Sequence, residues 1–493
     1  MAARSLLVLL ACVMAREAMC QQPNIIIFLA DDVGWADLQR HDQQMRTPNI
    51  ERLARDGMFL NQSYVLPTCA PTRSALLTSR WPYTIGMQVN QIKGTNLAWL
   101  DENLTLLPQT MKQLNYSTHM IGKWHLGHCN WALTPTRRGF DTFYGFYTNS
   151  MGYFNHSGES EDRYDFRDND EVVWSARGQY APELHTARAQ RIIREQRRSR
   201  TPFFLYYAMQ TAHAPYEAKQ KYIDMCSHVT NRKRRIHCGM VAAMDESIGN
   251  ITDTLEAEGC LDDTIILFAS DNGGPLEGGS SNWPLRGQKS TLWEGGTRSF
   301  TVLRSPMLRR RGVTYPGSST PWTGTPPSSR LPVAHLQQVW MVSRCGTPCG
   351  PHHRVRELRW CTTLTTRVTD MPIREGDWKL CKGRPGRKYL GWYPPASMPG
   401  LAWEEVKRQD VPEWQLFNIA VDPEERHNVY NAPENQAIVS RMKQLMENYK
   451  RRLRPFRRAR KEPRGKAKNF GGVETPGWCQ LGTARPTSTT TRS

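Results

Sequence analysis

PNIIIFLADD, residues 23–32, passes from a proline through six apolar residues to two aspartates. A strand with one wet face alternates apolar and polar residues, so an unbroken β-branched and aromatic run reads as a strand buried on both faces of a parallel sheet. Thr264–Ser270 (TIILFAS) repeats the design ahead of Asp271, Asn272 and Gly273, and Thr201–Gln210 (TPFFLYYAMQ) repeats it ahead of His213. Between the first two, Thr47–Gly57 predicts a helix with Pro48 at its start, Ile50, Leu53 and Ala54 on one face and Gly57 as the stop. Strands alternating with helices predict an α/β domain, whose ligands bind beyond the carboxyl ends of the strands. Those are the ends at which this sequence places its polar residues.

The chain has 493 residues, 39% of them hydrophobic, enough for one large domain and a smaller one. Arg4, an apolar run from Leu6 to Met14, and the small residues Ala18 and Cys20 read as a signal peptide over 1–20. No later stretch approaches the roughly 20 apolar residues of a membrane span. Sequons begin at Asn61, Asn103, Asn115, Asn155 and Asn250, which agrees with the secretory pathway, either lysosomal or extracellular. Twelve cysteines less Cys12 and Cys20 of the leader leave ten, and an oxidising compartment pairs some of them. Cys226 and Cys238, bracketing a short polar loop, are the expected local bridge. The net charge of +19 points either to a polyanionic partner or to a solvating surface. For a luminal protein nucleic acid is the wrong polyanion, and sulfated glycosaminoglycans are the right one. Much of the charge lies in Lys450–Lys468, within a basic tail over 450–493, for which a flexible, solvated segment is the plain expectation. Before it, a Trp-, Tyr- and Pro-rich piece, the run Trp414–Ile419 and a helix over Ala432–Arg452 predict a small C-terminal α+β domain over 371–449.

Asp31, Asp32, Asp271 and Asn272 are hard oxygen donors at the ends of two adjacent strands, a set suited to Ca²⁺ or Mg²⁺ and, without a Cys or His cluster, unsuited to zinc. Alone, a strand ending in Asp-Asp is an ordinary turn or helix cap. The decisive segment is Cys69-Ala70-Pro71-Thr72-Arg73, followed by SALLTSR over 74–80. With the blocks GKWHLG (122–127), RRGFD (137–141), WPLRG (283–287), Lys289 and LWEGG (292–296), it resembles the sulfatase family, whose signature is Cys-x-Pro-Ser/Thr-Arg. Within the family the likeness is to the arylsulfatase B branch, over 24–313 and again over 373–427. Two positions depart from the pattern: Thr72 stands for the commoner Ser and keeps its hydroxyl, and Ser79 stands for Gly.

The resemblance implies the alkaline phosphatase-like sulfatase fold, a large mixed sheet flanked by helices over 21–316 with the smaller domain behind it. It implies that a formylglycine-generating enzyme oxidises Cys69, and that the resulting hydrate attacks sulfur with one hydroxyl while the other later expels sulfate. One Ca²⁺ would sit on Asp31, Asp32, Asp271 and Asn272 against the modified Cys69. Arg73 would support the formylglycine, and Lys123 and Lys289 would bind the sulfate oxygens. His213 or Lys289 would protonate the leaving group and His125 would assist the last step, with an acidic lumen favouring protonated histidines. The implied substrate is the 4-sulfate of N-acetylgalactosamine in chondroitin or dermatan sulfate. A zinc phosphatase on the same fold is disfavoured, because it would place Ser or Thr at the nucleophile and add several His ligands. An impaired, glycosaminoglycan-binding homologue is the remaining alternative, and the intact set of site residues argues against it.

Residues 317–370 leave the family pattern and become rich in Ser, Thr, Pro and Arg. A disordered insertion is one reading. Back-translation supplies another. From the third base of the Gly317 codon, permitted codons give LFHAVDWYPTLVSLAG, and the same frame from the Arg359 codon gives LVYNIDD, both patterns of the family. A compensated frameshift or gene-model error is the expectation, which sequencing the transcript decides. If the printed segment is real, Cys345, Cys349 and Cys361 are stray thiols.

Overall fold

The computed structural model describes residues 22–481, apart from 90–91, 159–162, 320–358, 362–370, 397, 399 and 457–458. The leader, Cys345, Cys349, most of 317–370 and residues 482–493 lie outside the described residues.

The first quoted stretch forms β1 (Asn24–Ala30). The other strands of its sheet are β2 (Met58–Tyr64), β3 (Ser117–Lys123), β4 (Thr142–Phe146), β5 (Arg167–Asp168), β6 (Glu171–Val172), β7 (Phe203–Ala208), β8 (Thr264–Ser270), β9 (Arg298–Arg304) and β10 (Val313–Ser319). Their order is β10-β2-β9-β8-β1-β7-β3-β4-β5-β6. The four central neighbours β8, β1, β7 and β3 are parallel, whereas β9 pairs antiparallel with both β8 and β2, so the sheet is mixed. Along β1, Ile26, Phe28 and Ala30 join the core on one face, and Ile25, Ile27 and Leu29 join the core on the other. Both faces are dry, which is why the run could not alternate. Helices Pro48–Asp56, Ala181–Ser199 and Arg232–Ala257 cover the first face. Helices Cys69–Thr78 and Leu107–Gln113 cover the second.

The C-terminal sheet orders β11 (Arg359–Cys361), β12 (Met371–Glu375), β13 (Trp378–Lys382) and β14 (Trp414–Asn418) as an antiparallel meander. Its period-two alternation has two destinations. Ile373, Leu380 and Leu416 pack on Val439, Met442 and Met446 of the Gln436–Lys450 helix. Arg374 and Lys379 turn the other way, to Tyr64 and Glu294 of the large domain. The expected Cys226–Cys238 bridge is present.

The tail expected from residue 450 onward is different. Through Leu481 it returns to the large domain, pairing Lys461 with Asn96 and Val473 with Tyr164, and it ends in a Cys129–Cys479 disulfide with Trp478 buried beside it. Ala467, Val473 and Glu474 are buried along the way, and those few anchors outweigh the basic composition that suggested a solvated tail. No described helix is long and apolar enough to cross a membrane.

Candidate active site

Cys69 opens the Cys69–Thr78 helix, at the turn leaving β2. The Thr72 hydroxyl accepts from the Leu66 amide at 3.0 Å, so it closes the loop ahead of Cys69. Ser79 ends the helix in the left-handed region, with φ +58° and its amide on the Ala75 carbonyl. A glycine would take that conformation freely, whereas a side chain there costs about 1 kcal/mol.

The parallel strands bring the other groups to Cys69. Asp31 and Asp32 follow β1, Asp271 and Asn272 follow β8, Lys123 ends β3 and His213 lies beyond β7, while Lys289 enters from the loop between β8 and β9. The Cys69 Sγ is 3.4 Å from Asp31 Oδ1. Arg73 donates Nε and Nη2 to Asp271 Oδ2 at 3.1 and 2.8 Å, and Nη1 to the Lys123 carbonyl at 3.3 Å. Lys123 Nζ donates to Asp31 at 2.6 Å, and Lys289 Nζ to Asp32 at 2.6 Å. His213 Nε2 is 3.7 Å from Asp32, and its Nδ1 contacts the Ala214 carbonyl. His125 turns Nε2 to the Ile92 carbonyl at 2.8 Å, and its buried Nδ1 has no hydrogen-bond partner among the described residues. Asp32 and His125 both sit at positive φ, +67° and +54°, a backbone strain that clusters at functional sites. Every site residue expected from the sequence is therefore in this one cluster. Only Lys289 and His213 reach solvent, each 16% exposed.

Burial raises the Cys69 thiol far above its usual range, and the Asp271 charge adds to it. Burial and repulsion from Asp31 push Asp271 up to about 6 against the pull of Arg73. Burial raises the Asp32 carboxyl, but the Lys289 ammonium, with Lys123 behind it, holds it well below the carboxylate range. Burial, then Lys123 and Lys289, hold His213 down to about 3, and burial with Lys123 keeps His125 low. Both shifts favour the neutral imidazole, whereas the sequence pointed to protonated histidines in an acidic lumen.

The donor set suits a hard divalent cation. Ligand atoms of Asp31, Asp32, Asp271 and Cys69 lie within 4.8 Å of one another. Asn272 supplies the independent sign. Its amide nitrogen donates to Asp32 and to the Gly273 carbonyl, which leaves the buried Oδ1 without a partner among the described residues. An orphaned buried acceptor costs about 1–3 kcal/mol, which a cation would recover.

Residues 23–319 match the model of the family described as Sulfatase. The chain belongs to the sulfatase family. Its relatives include mouse arylsulfatase J, 32% identical over 94% of this chain and 81% of that protein. Human N-acetylgalactosamine-6-sulfatase is 32% identical over 56% of each chain. The crystal structure of Ps i-CgsB is similar over 88% of this chain and 94% of its own, at 27% identity and TM-score 0.73. This sulfatase is thus a sulfuric ester hydrolase of a family that generally uses formylglycine and a divalent metal. These relatives are not arylsulfatase B, so the 4-sulfate is not settled by them.

Two matched blocks serve the sulfatase away from the chemistry. Arg286 lies over the Trp293 and Trp392 rings at 3.7 and 4.7 Å and donates to the Leu390 carbonyl, locking the Lys289 loop to the C-terminal domain. Arg138 donates to the carbonyls of Leu100, Asp101 and Leu104. A group the sequence did not disclose stands behind the candidate cation ligands. Asp37 accepts from the amides of Gly34 and Ser281, from His237 at 2.8 Å and from Arg234, tying both acid-bearing loops to the Arg232–Ala257 helix. Nothing in its spacing separates Asp37 from an ordinary turn residue.

Proposed function

We propose that this sulfatase removes the 4-sulfate of N-acetylgalactosamine in chondroitin or dermatan sulfate, using a formylglycine made from Cys69 and one Ca²⁺. The observation that carries the chemistry is the position of Cys69, first in its helix and 3.4 Å from Asp31, inside a ring of three carboxylates and three cationic side chains. The substrate reading is supported by the arylsulfatase B-like sequence blocks, by relatives named for sulfate on the same sugar and by the net charge of +19.

When present, formylglycine supplies a geminal diol as oxygen nucleophile, and the calcium supplies a Lewis acid beside it. Asp31, Asp32, Asp271 and Asn272 would hold the cation. Lys123 and Lys289, which pair with Asp31 and Asp32 here, would turn their ammonium groups to the sulfuryl oxygens once those carboxylates serve as ligands. Arg73, pinned by Asp271 and the Lys123 carbonyl, holds the modified side chain. Lys289, cationic and at the opening beside His213, is placed to hand a proton to the departing sugar oxygen. His125, with Nε2 on the Ile92 carbonyl and a buried Nδ1 unpartnered among the described residues, would offer that nitrogen as a proton acceptor beside the site. The formylglycine-generating enzyme is the partner in biosynthesis, which assigns the protein to the secretory pathway, lysosomal or extracellular.

Mass spectrometry of the Cys69 peptide from a competent secretory host checks the reading, with formylglycine expected. Cys69→Ala should lower aryl sulfatase activity on the order of 10⁴-fold or more while leaving the fold. An unmodified thiol, or residual activity above about 1% in the variant, would return the protein to the binding-homologue alternative. Sulfate release from 4-sulfated rather than 6-sulfated N-acetylgalactosamine oligosaccharides tests the position.

A further inference from the structure

The return arm displays five cations in nine residues: Arg460, Lys461, Arg464, Lys466 and Lys468. All five are exposed. The single acid among them, Glu462, is buried and bonds Arg464 at 3.0 and 3.1 Å, with Arg460 3.9 Å away. Lys461, Lys466 and Lys468 have no ion pair among the described residues.

The arm is a frame rather than a loose tail. Gly465 lies against the Trp478 ring, where an added Cβ would come within 2.6 Å of ring carbon. Glu474 is buried and bonds Arg163, and the Cys129–Cys479 bridge closes the far end. Held this way, the backbone beneath the cations is already ordered by folding, and only their side chains remain to be ordered on meeting a ligand.

The frame is stitched to the segments that carry the site. The Leu97 amide donates to the Arg460 carbonyl at 2.8 Å, and the Glu462 amide donates to the Thr95 carbonyl at 2.9 Å. The same loop supplies the Ile92 carbonyl to His125. Amides of Gly477, Trp478 and Cys479 converge on the Cys129 carbonyl, six residues after Lys123. The cationic arm therefore borders both the loop that buttresses His125 and the segment bearing Lys123.

We infer that this arm is a binding rim for the sulfated polysaccharide chain flanking the scissile ester. The inference rests on the proposed substrate class and adds where the polymer is gripped. Charge complementarity selects the occupant: a row of cations on an ordered backbone, its three ammonium groups without an ion pair among the described residues, meets repeated sulfates and carboxylates. Exposed charges act over about 10 Å at 0.1 M salt, so this grip must weaken as salt rises.

The test uses the full chain with Lys461→Gln, Lys466→Gln and Lys468→Gln combined, three exposed positions whose replacement spares the disulfide and the buried anchors. In a Cys69→Ala background, retention on immobilised chondroitin sulfate is expected to fail at lower salt with the triple substitution than without it. In the active enzyme, kcat/KM for chondroitin or dermatan sulfate should fall about fivefold to tenfold, with an aryl sulfate unchanged within about twofold. Unaltered polymer retention would overturn the rim, as would equal losses on both substrates. If the unsubstituted enzyme binds the polymer through the arm and releases no sulfate from it, the rim stands and the substrate reading fails.

Discussion

Two buried ionic clusters lie at the ends of β2 and β8, built from the same kinds of residue and put to opposite uses. One is the site around Cys69. The other joins the two sheets: Lys379 of β13 lies between Glu294 at 2.9 Å and Glu425 at 2.7 Å, Tyr64 donates to Glu294 at 2.6 Å, and Arg374 reaches Tyr64 and Gln62. The junction is closed: Glu294 of the large domain and Glu425 of the C-terminal part share the buried Lys379. The site keeps an orphaned amide oxygen on Asn272 and two side chains at solvent. Buried charge holds a fold together where its partners are complete, and it holds a ligand where one partner is missing.

The largest effect should come from the open cluster. Asp271→Asn removes one charge from the metal donors, and kcat should fall on the order of 10²–10³-fold, with bound calcium falling below one ion per chain by atomic emission. Unchanged metal content would erase the contrast. In the closed cluster, Lys379→Met leaves Glu294 and Glu425 facing each other without their cation. That should cost about 3–5 kcal/mol in denaturant unfolding, with kcat/KM of the folded enzyme kept within about twofold; lost activity at unchanged stability would make the junction part of the site.

The junction also titrates. Burial and then Glu294 push Glu425 up to about 7, against Lys379, so the folded state binds its proton more tightly than the unfolded chain. Its contribution is fully present below about 4.5 and is lost as pH rises through about 7. Thermal scans between those values should show Glu425→Gln flattening the pH dependence, by on the order of 1 kcal/mol; an identical slope in both proteins would refute the assignment. The smallest effect belongs to Ser79→Gly, which relieves the left-handed residue but loosens the unfolded chain. A net gain of a few tenths to about 1 kcal/mol is expected from the denaturant midpoint, with unchanged turnover, and any loss of stability would show that Ser79 is not strained.

Legibility followed the range of the forces. β1 and β8 were readable because burial on both faces leaves only apolar choices, and the Pro48–Asp56 helix because Pro48 and Gly57 mark its ends locally. β3 was not: it carries Thr118, His119, Gly122 and Lys123, polar or small residues tolerated only because neighbouring strands and the site satisfy them. The arm after residue 450 misled for a related reason, since composition averages over the few anchors that decide its place.

The sequence alone determined the fold class, the local Cys226–Cys238 bridge and, through the resemblance its motifs carry, the full set of residues around Cys69. Those signals are short in range or tied to a motif. The tertiary structure decided the rest: that Lys123 and Lys289 each take one aspartate, that Asp37 ties both acid-bearing loops to one helix, that Lys379 meets Glu294 across the domains, and that Cys129 meets Cys479 across 350 residues. Each of these pairs residues far apart in the chain, and only the packing of the sheet brings them within hydrogen-bond or covalent reach.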